Sequence, residues 1–208
     1  MTEDDAKARI AADVSRETLD RLELFASLLT KWQKTINLIS PATLPQIWSR
    51  HILDSAQVID HAPPDAKTWA DLGSGGGFPG LVCAAIAAEK MPDLRMNLVE
   101  ADLRKAAFLR ETARQMGLSV GVFSRRIEDM PPQAADIVSA RALAALDTLC
   151  GYAHLHLRPG GVALLQKGAR HAEELETARQ RWQMDVTTVP SVTDADAVLF
   201  RIENLTHA

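Results

Sequence analysis

The stretch Trp69-Ala-Asp-Leu-Gly-Ser-Gly-Gly-Gly-Phe-Pro-Gly80 constrains this chain more than any other. An extended entry from Lys67 to Leu72 carries an acid, Asp71, and leads into a glycine cluster and then a helix-forming run from Leu81 to Glu89. Strand, glycine turn and helix in that order open a nucleotide-binding α/β unit. Glycine accepts φ > 0 and lets a ligand approach backbone N–H groups with no Cβ in the way. Pro79 suits the first helical turn, where its missing N–H has no intrahelical partner.

The loop reads in two registers. Gly75-x-Gly77-x-x-Gly80, followed by an acid at Glu100, fits the dinucleotide fingerprint. Asp71-x-Gly73-x-Gly75-x-Gly77 fits the acid-led glycine loop of S-adenosylmethionine (SAM) methyltransferases. A nicotinamide-dependent oxidoreductase would use Gly75 to Gly80 and Glu100 but leave Asp71 idle. It would also lack a Tyr/Lys pair for hydride chemistry, because the only tyrosine, Tyr152, falls mid-helix. A non-catalytic nucleotide- or RNA-binding module would leave the intact cofactor loop without purpose.

With 208 residues, 47% of them hydrophobic, the chain can bury a sizeable core. A helical extension (1–62) and an α/β domain (63–208) are expected. No run approaches the length of a membrane span, and the acidic start Met1-Thr-Glu-Asp-Asp5 lacks the features of a signal peptide. A cytoplasmic protein with no membrane partner is therefore expected, and a monomer, since no interface pattern is visible. Cys83 and Cys150 sit at no metal-ligand spacing and are expected to be buried thiols, with no metal site. The net charge of −4 argues against a nucleic-acid footprint over the whole surface but leaves room for a local one. From Arg104 to Arg126 there are six basic residues and one acid, Glu111, though they form no single helical stripe.

The pattern of elements is regular. Residues 1–16 are polar and expected to fray. Leu22, Phe25, Ala26, Leu29, Trp32 and Ile36 share a helical face that ends by Ser40-Pro41, and a second helix is expected from about Thr43 to Ile59. Pro63-Pro64 mark the boundary to the first strand. Further strands are expected at 95–100, 119–124, 136–140, 162–166, 185–189 and 197–203. Between them come helices from Asp102 to Met116, stopped by Gly117, through Leu143, Leu146 and Leu149, and from His171 to Trp182. The alternation implies a mostly parallel sheet of seven strands, the last two forming an antiparallel hairpin at one edge. Seven strands with that ending point to the Rossmann-like α/β fold of class I SAM-dependent methyltransferases, with an N-terminal helical extension.

Several motifs lie outside the glycine loop. Lys31-Trp-Gln-Lys-Thr-Ile-Asn-Leu38, Arg50-His-Ile-Leu-Asp-Ser55, Ser139-Ala-Arg-Ala142 and Gln166-Lys-Gly168 flank Asp71 to Gly80 in a fixed order. With them the chain, from about Leu19 to Glu203, resembles the bacterial small-subunit rRNA guanine-N7 methyltransferases, also called the glucose-inhibited division protein B family. The resemblance implies SAM as cofactor and methylation of N7 of one guanine in 16S rRNA (guanine 527, in the 530 loop of the decoding region). The partner would be the small ribosomal subunit or an assembly intermediate of it.

Site residues follow from both lines. Asp71, Gly73, Gly75 and Phe78 form the cofactor loop, and the resemblance implies that Gly73 and Phe78 line the methionine and ribose. Glu100, ending the second strand, is the candidate for the ribose hydroxyls. The resemblance puts Ile127 against the adenine with Glu128 accepting from its amine, although Asp129 is equally close in sequence. Arg141, just past the fourth strand, would bind the SAM carboxylate or hold the guanine O6. Arg50, His51, Asp54 and Lys167 would form the mouth, with Arg50, His51, Arg126 and Lys167 contacting RNA. An intrahelical bond to Asp54 is the alternative role for His51. Lys34 and Asn37 are structural or RNA contacts.

The chemistry implied needs little machinery. Methylation of an exocyclic amine would call for an Asn/Asp-Pro-Pro-aromatic run where this chain has Ser-Ala-Arg-Ala, and pyrimidine C5 methylation for a nucleophilic cysteine in another segment. Guanine N7 already carries an in-plane lone pair. No general acid or base is expected, only positioning, for which Arg141 is the candidate.

Overall fold

The computed structural model describes residues 1–208. Strands β1 (Thr68–Leu72), β2 (Arg95–Val99), β3 (Val120–Phe123), β4 (Ala135–Arg141) and β5 (Leu157–Lys167) run parallel. β6 (Trp182–Pro190) and β7 (Val198–His207) add the expected antiparallel hairpin, and the spatial order is β3-β2-β1-β4-β5-β7-β6. The order reverses between β1 and β4. Just beyond the carboxyl ends of those strands lies the crevice where open parallel sheets bind ligands.

The side-chain alternation of each strand feeds two cores. On β1, Trp69 faces one side, while Ala70 and Leu72 face the other. Helices α1 (Glu3–Asp13), α2 (Arg16–Trp32), α3 (Leu53–Ala56), α4 (Gly80–Lys90) and α5 (Leu103–Gln115) cover the Trp69 side. Helices α6 (Leu146–His156) and α7 (His171–Ala178) cover the other. Cys83 in α4 and Cys150 in α6 are fully buried, as expected, and burial pushes the Cys150 thiol up to about 12.

Several elements depart from the sequence expectation. The N-terminus is not frayed. Thr2 and Asp5 form a reciprocal capping box, three acids occupy the first turn, and Ala6 and Ile10 reach the core one turn apart. Glu3 then accepts from the Trp48 and Ser49 backbone N–H groups at 2.8 and 3.0 Å. Polar composition hid a helix whose anchor lies 45 residues away.

The helix expected from Thr43 to Ile59 is a composite. A 3₁₀ segment (Pro41–Gln46) containing Pro45 leads into a π turn (Ile47–Ile52), then α3, then a second 3₁₀ segment (Gln57–His61). Pro45 has no N–H for a regular ladder, and the widened turn carries Arg50 and His51. Elsewhere the differences are at ends: α2 stops at Trp32 rather than Ile36, α6 starts at Leu146 rather than Leu143, and Trp182 opens β6 instead of closing α7.

Phe25 is fully buried with its ring 5.1 Å from that of Phe78, and so ties α2 to the glycine turn. Phe25→Ala should destabilise the protein by about 3–5 kcal/mol in urea denaturation. A loss within the error of the measurement would show that α2 does not depend on this contact.

Candidate active site

The glycine loop is held from below by a buried polar chain. The Trp69 indole N–H donates to Ser139 Oγ at 2.8 Å, and the Ser139 hydroxyl donates to Asp71 Oδ1 at 2.6 Å. Asp71 is completely buried, and burial raises its carboxyl to about 6 against the lowering effect of Ser139, Ser74 and the Gly80 backbone. A Cβ on Gly80 would fall 2.5 Å from Asp71 Oδ2, so only glycine lets α4 start this close to the acid. Asp71 therefore supports the loop from behind and forms no part of the cavity wall.

Above it the loop turns outward. Gly73 and Ser74 donate to the Val99 carbonyl at 2.9 and 3.0 Å, and Gly73 and Gly75 hold φ of +67° and +53°. Glu100 fastens the loop to the end of β2: one oxygen accepts from Gly75 N at 2.8 Å and the other from Asp102 N at 2.8 Å. Asp102 itself caps α5 through Arg104 N and Lys105 N.

A cavity of about 580 Å³ opens over this loop. Gly73, Gly75, Phe78, Glu100, Ile127, Glu128 and Arg141 all line it, so seven of the eight expected cofactor residues converge and Asp71 is the exception. Of the two acids left open, Glu128 lines the cavity and Asp129 does not. The Glu128 carboxyl lies below its ordinary value because its own backbone N–H and the Tyr152 hydroxyl donate to it, the latter at 2.7 Å. Tyr152, which the sequence left without a use, lines the cavity too. So do Leu38, Ile39, Ser40 and Thr43, from the segment after α2 that lies against Gly76.

Arg141 stands between this cavity and a second one of about 470 Å³, lining both together with Thr43, His51 and Ala142. Its guanidinium lies 4.8 Å over the Phe78 ring, donates to Asp54 Oδ2 at 3.2 Å and to the Arg50 carbonyl at 3.3 Å, and meets His51 Nδ1 at 2.9 Å. Burial lowers its pKa and the Asp54 carboxylate opposes that, leaving a charged donor.

Because arginine can only donate, His51 Nδ1 must accept, which assigns the proton to Nε2 facing Thr43 Oγ1 at 2.9 Å. Burial, then Arg141 and Arg50, lower the His51 pKa to about 4, so the ring is neutral. The expected alternative, a bond from His51 to Asp54, is replaced by this relay. Asp54 instead accepts from Arg141, Gln57, Gln166, Ser191 and Thr193.

The expected RNA contacts separate into two groups. Arg126 and Arg50 are well exposed at the rims of the first and second cavities. His51 has both ring nitrogens occupied, and the Lys167 ammonium is buried between Glu174 Oε2 at 2.6 Å and the Ala144 carbonyl at 2.8 Å. Lys105 and Arg125 join Arg126 at the first rim, and Arg170 joins Arg50 at the second. The basic run had pointed at Lys105 and Arg125, but no helical stripe could bring them together, because they come from α5 and from the segment after β3. Lys34 and Asn37 line neither cavity, and Asn37 bonds Gln33 at 3.4 Å.

Residues 18–200 match the family described as GidB, rRNA small subunit methyltransferase G. Proteins called ribosomal RNA small subunit methyltransferase G are similar over nearly the full length. The one from Jannaschia sp. (strain CCS1) is 55% identical over 97% of this chain and 95% of its own. That of Cereibacter sphaeroides (strain ATCC 17025 / ATH 2.4.3) is 52% identical, covering 100% of both chains. Among solved structures, cofactor-bound Rv0187 from MTB aligns with a TM-score of 0.61 over 88% of this chain and 89% of that one, at 13% identity. M. jannaschii TYW2 in complex with AdoMet aligns with a TM-score of 0.52 over 76% and 77%, also at 13% identity. At such identities the structures speak to the fold alone, which is that of class I SAM methyltransferases.

The neutral His51 has a measurable consequence. Its folded pKa lies below the unfolded value of 6.5, so on acidification the unfolded chain takes up the proton first. Its contribution to stability is complete above about pH 6.5 and is lost as the pH falls toward about 4. His51→Gln should make the decline in urea-determined stability across this window shallower than in the parent. An unchanged pH slope would refute the neutral, buried assignment.

Proposed function

Because this chain belongs to the rRNA small subunit methyltransferase G family, we propose that it methylates N7 of one guanine in the decoding region of 16S rRNA. The observation that carries this reading is the pair of adjoining cavities with Arg141 between them and its neighbours His51 and Asp54 both engaged in hydrogen bonds. The cofactor is S-adenosylmethionine, and the donor set of the first cavity fits it. The volume suits a small-molecule site, which typically spans about 300–1,000 Å³. Glu100 keeps acceptor capacity on both oxygens for a pair of ribose hydroxyls beyond its bonds to Gly75 and Asp102. Ile127 offers an apolar face to the adenine and Glu128 an acceptor for its amine. Glycines at 73 and 75 let the backbone come close, and Asp71 keeps them in place from beneath.

When bound, the cofactor supplies a methyl carbon activated by a sulfonium. The protein's task is positioning. Guanine N7 attacks with its own lone pair and loses no proton, so no residue has to act as a base. His51 could not readily do so: its Nδ1 accepts from Arg141 and its Nε2 proton is turned to Thr43. Asp54 holds the Arg141 guanidinium at the boundary of the two cavities, and the apolar ring of Phe78 beneath it excludes water there.

The target base reaches the second cavity by leaving its stack. Arg126, Arg125 and Lys105 at one rim and Arg50 and Arg170 at the other are suited to phosphates, giving a local footprint on a chain of net charge −4. The substrate is the small ribosomal subunit or an assembly intermediate, whose shape adds to recognition.

Two measurements test this reading. Tritiated methyl transfer from SAM to small subunits lacking the modification, followed by nuclease digestion, should give label in 7-methylguanosine, and label in any other nucleoside would contradict the proposed atom. Glu100→Ala should weaken SAM binding in calorimetry by about tenfold to a hundredfold, as expected for losing hydrogen bonds to a charged group. Unaltered affinity would remove Glu100 from the cofactor site.

A further inference from the structure

We propose that Tyr152 is a positioning residue for adenine recognition: it holds the Glu128 carboxylate in the wall of the first cavity so that one oxygen meets the adenine amine of the cofactor. The inference rests on the adenine placement given above. Ile127 and Glu128 share one 3₁₀ turn, Ile127–Asp129, between β3 and β4. The backbone bonds of that turn, Asp129 N to the Arg126 carbonyl and Met130 N to the Ile127 carbonyl, are both 3.2 Å long and leave the Glu128 side chain free to rotate. Its orientation has to come from outside.

Helix α6 supplies it. Tyr152 and His156 lie one helical turn apart and so face the same neighbour. The Tyr152 hydroxyl donates to Glu128 Oε1 at 2.7 Å, and His156 Nε2 meets the Ile127 carbonyl at 3.1 Å. A carbonyl can only accept, so Nε2 carries the His156 proton. The ring is buried, and burial holds its pKa below the ordinary value against the opposing effect of the Ile127 carbonyl. One residue of the helix thus grips the backbone of the turn and the other grips its acid.

The grip on the acid decides where the carboxylate points. The Glu128 side chain is 45% exposed and has a competing partner in Arg126, 72% exposed at the rim, whose Nη2 reaches Oε1 only at 3.5 Å. Tyr152 lines the cavity and binds the same oxygen at the shorter distance, so it holds the acid against the pull of the rim. Both donors fall on Oε1, and Oε2 keeps its lone pairs for a ligand. A carboxylate oxygen beside the apolar Ile127 suits adenine, which offers a flat ring and an N6 amine. A 6-oxopurine would set its own carbonyl against Oε2.

The test is calorimetry on the full-length protein with S-adenosylhomocysteine and with its 6-deamino analogue, in which hydrogen replaces the amine. The parent should bind S-adenosylhomocysteine about tenfold to a hundredfold more tightly than the analogue, as expected for a hydrogen bond to a charged group. Glu128→Ala should abolish that preference. Tyr152→Phe, which removes only the hydroxyl, should weaken S-adenosylhomocysteine about fivefold and leave the analogue unchanged, in line with losing one hydrogen bond that orients the acid. In turnover the same variant should raise KM for SAM and keep the parent's kcat, because binding alone is affected. A Tyr152→Phe protein that keeps the parent's full preference, where Glu128→Ala loses it, would overturn the role of Tyr152 and leave the adenine placement standing. Loss of affinity for both ligands alike in Tyr152→Phe would also overturn it, since the hydroxyl would then support the pocket as a whole. Equal affinity of the parent for the two ligands would bring down the adenine placement itself, and the inference with it, with no variant needed.

Discussion

The Asp54 carboxylate is the interaction on which the site depends. It lies on the short helix before β1 and gathers donors from four other places: Gln57 nearby, Arg141 on β4, Gln166 on β5, and Ser191 and Thr193 in the β6–β7 connection. An acid that is only 15% exposed is costly unless its oxygens are filled, and here five donors fill them. The geometry runs outward from that requirement. Arg141 is set between the cavities, His51 takes the tautomer that accepts from it, and Thr43 is drawn in by His51. Thr43 in turn donates to the Ser40 carbonyl at 2.9 Å, so the same relay fixes the segment over the glycine loop. Residues 40–54 of the N-terminal extension are thereby joined to the cavity walls.

A second, independent support lies beneath. The Trp69–Ser139–Asp71 chain joins β1 to β4 at the switch point of the sheet and carries no exposed charge. It keeps the loop rigid where a ligand must meet bare backbone. The two supports divide the work: the buried one shapes the floor of the first cavity, and the Asp54 cluster shapes the wall shared with the second. Arg50, Arg125, Arg126 and Arg170 remain exposed at the rims. This separation lets an acidic protein of 208 residues present a basic opening.

Much of this was legible in the sequence, and the limits have physical causes. The seven strands, their mostly parallel run and the terminal hairpin follow from the alternation of elements, because helix and strand periods are local properties. Glu100, Ile127, Glu128 and Arg141, singled out in the sequence, line one cavity because the carboxyl ends of parallel strands converge on a single crevice. Other features are set by distant partners. The helix at residues 3–13 depends on Glu3 meeting Trp48 and Ser49, and the same contact ties down the π turn that carries them. Asp71 looked like a cofactor contact because its spacing to the glycines is the same whether it faces the ligand or supports the loop. Lys167 looked like a phosphate contact because its pairing with Glu174 joins β5 to α7 by a contact no motif encodes. The Gln166 amide is held by Asp54, 112 residues away.

The most direct measurement is a crystal structure of the protein with S-adenosylhomocysteine. There the ribose hydroxyls should lie on Glu100 and the adenine beside Ile127, with the Arg141–Asp54–Gln166 wall intact and the second cavity open to a base. A ligand bound elsewhere, or one that fills the second cavity and breaks the contact between Arg141 and Asp54, would contradict this arrangement.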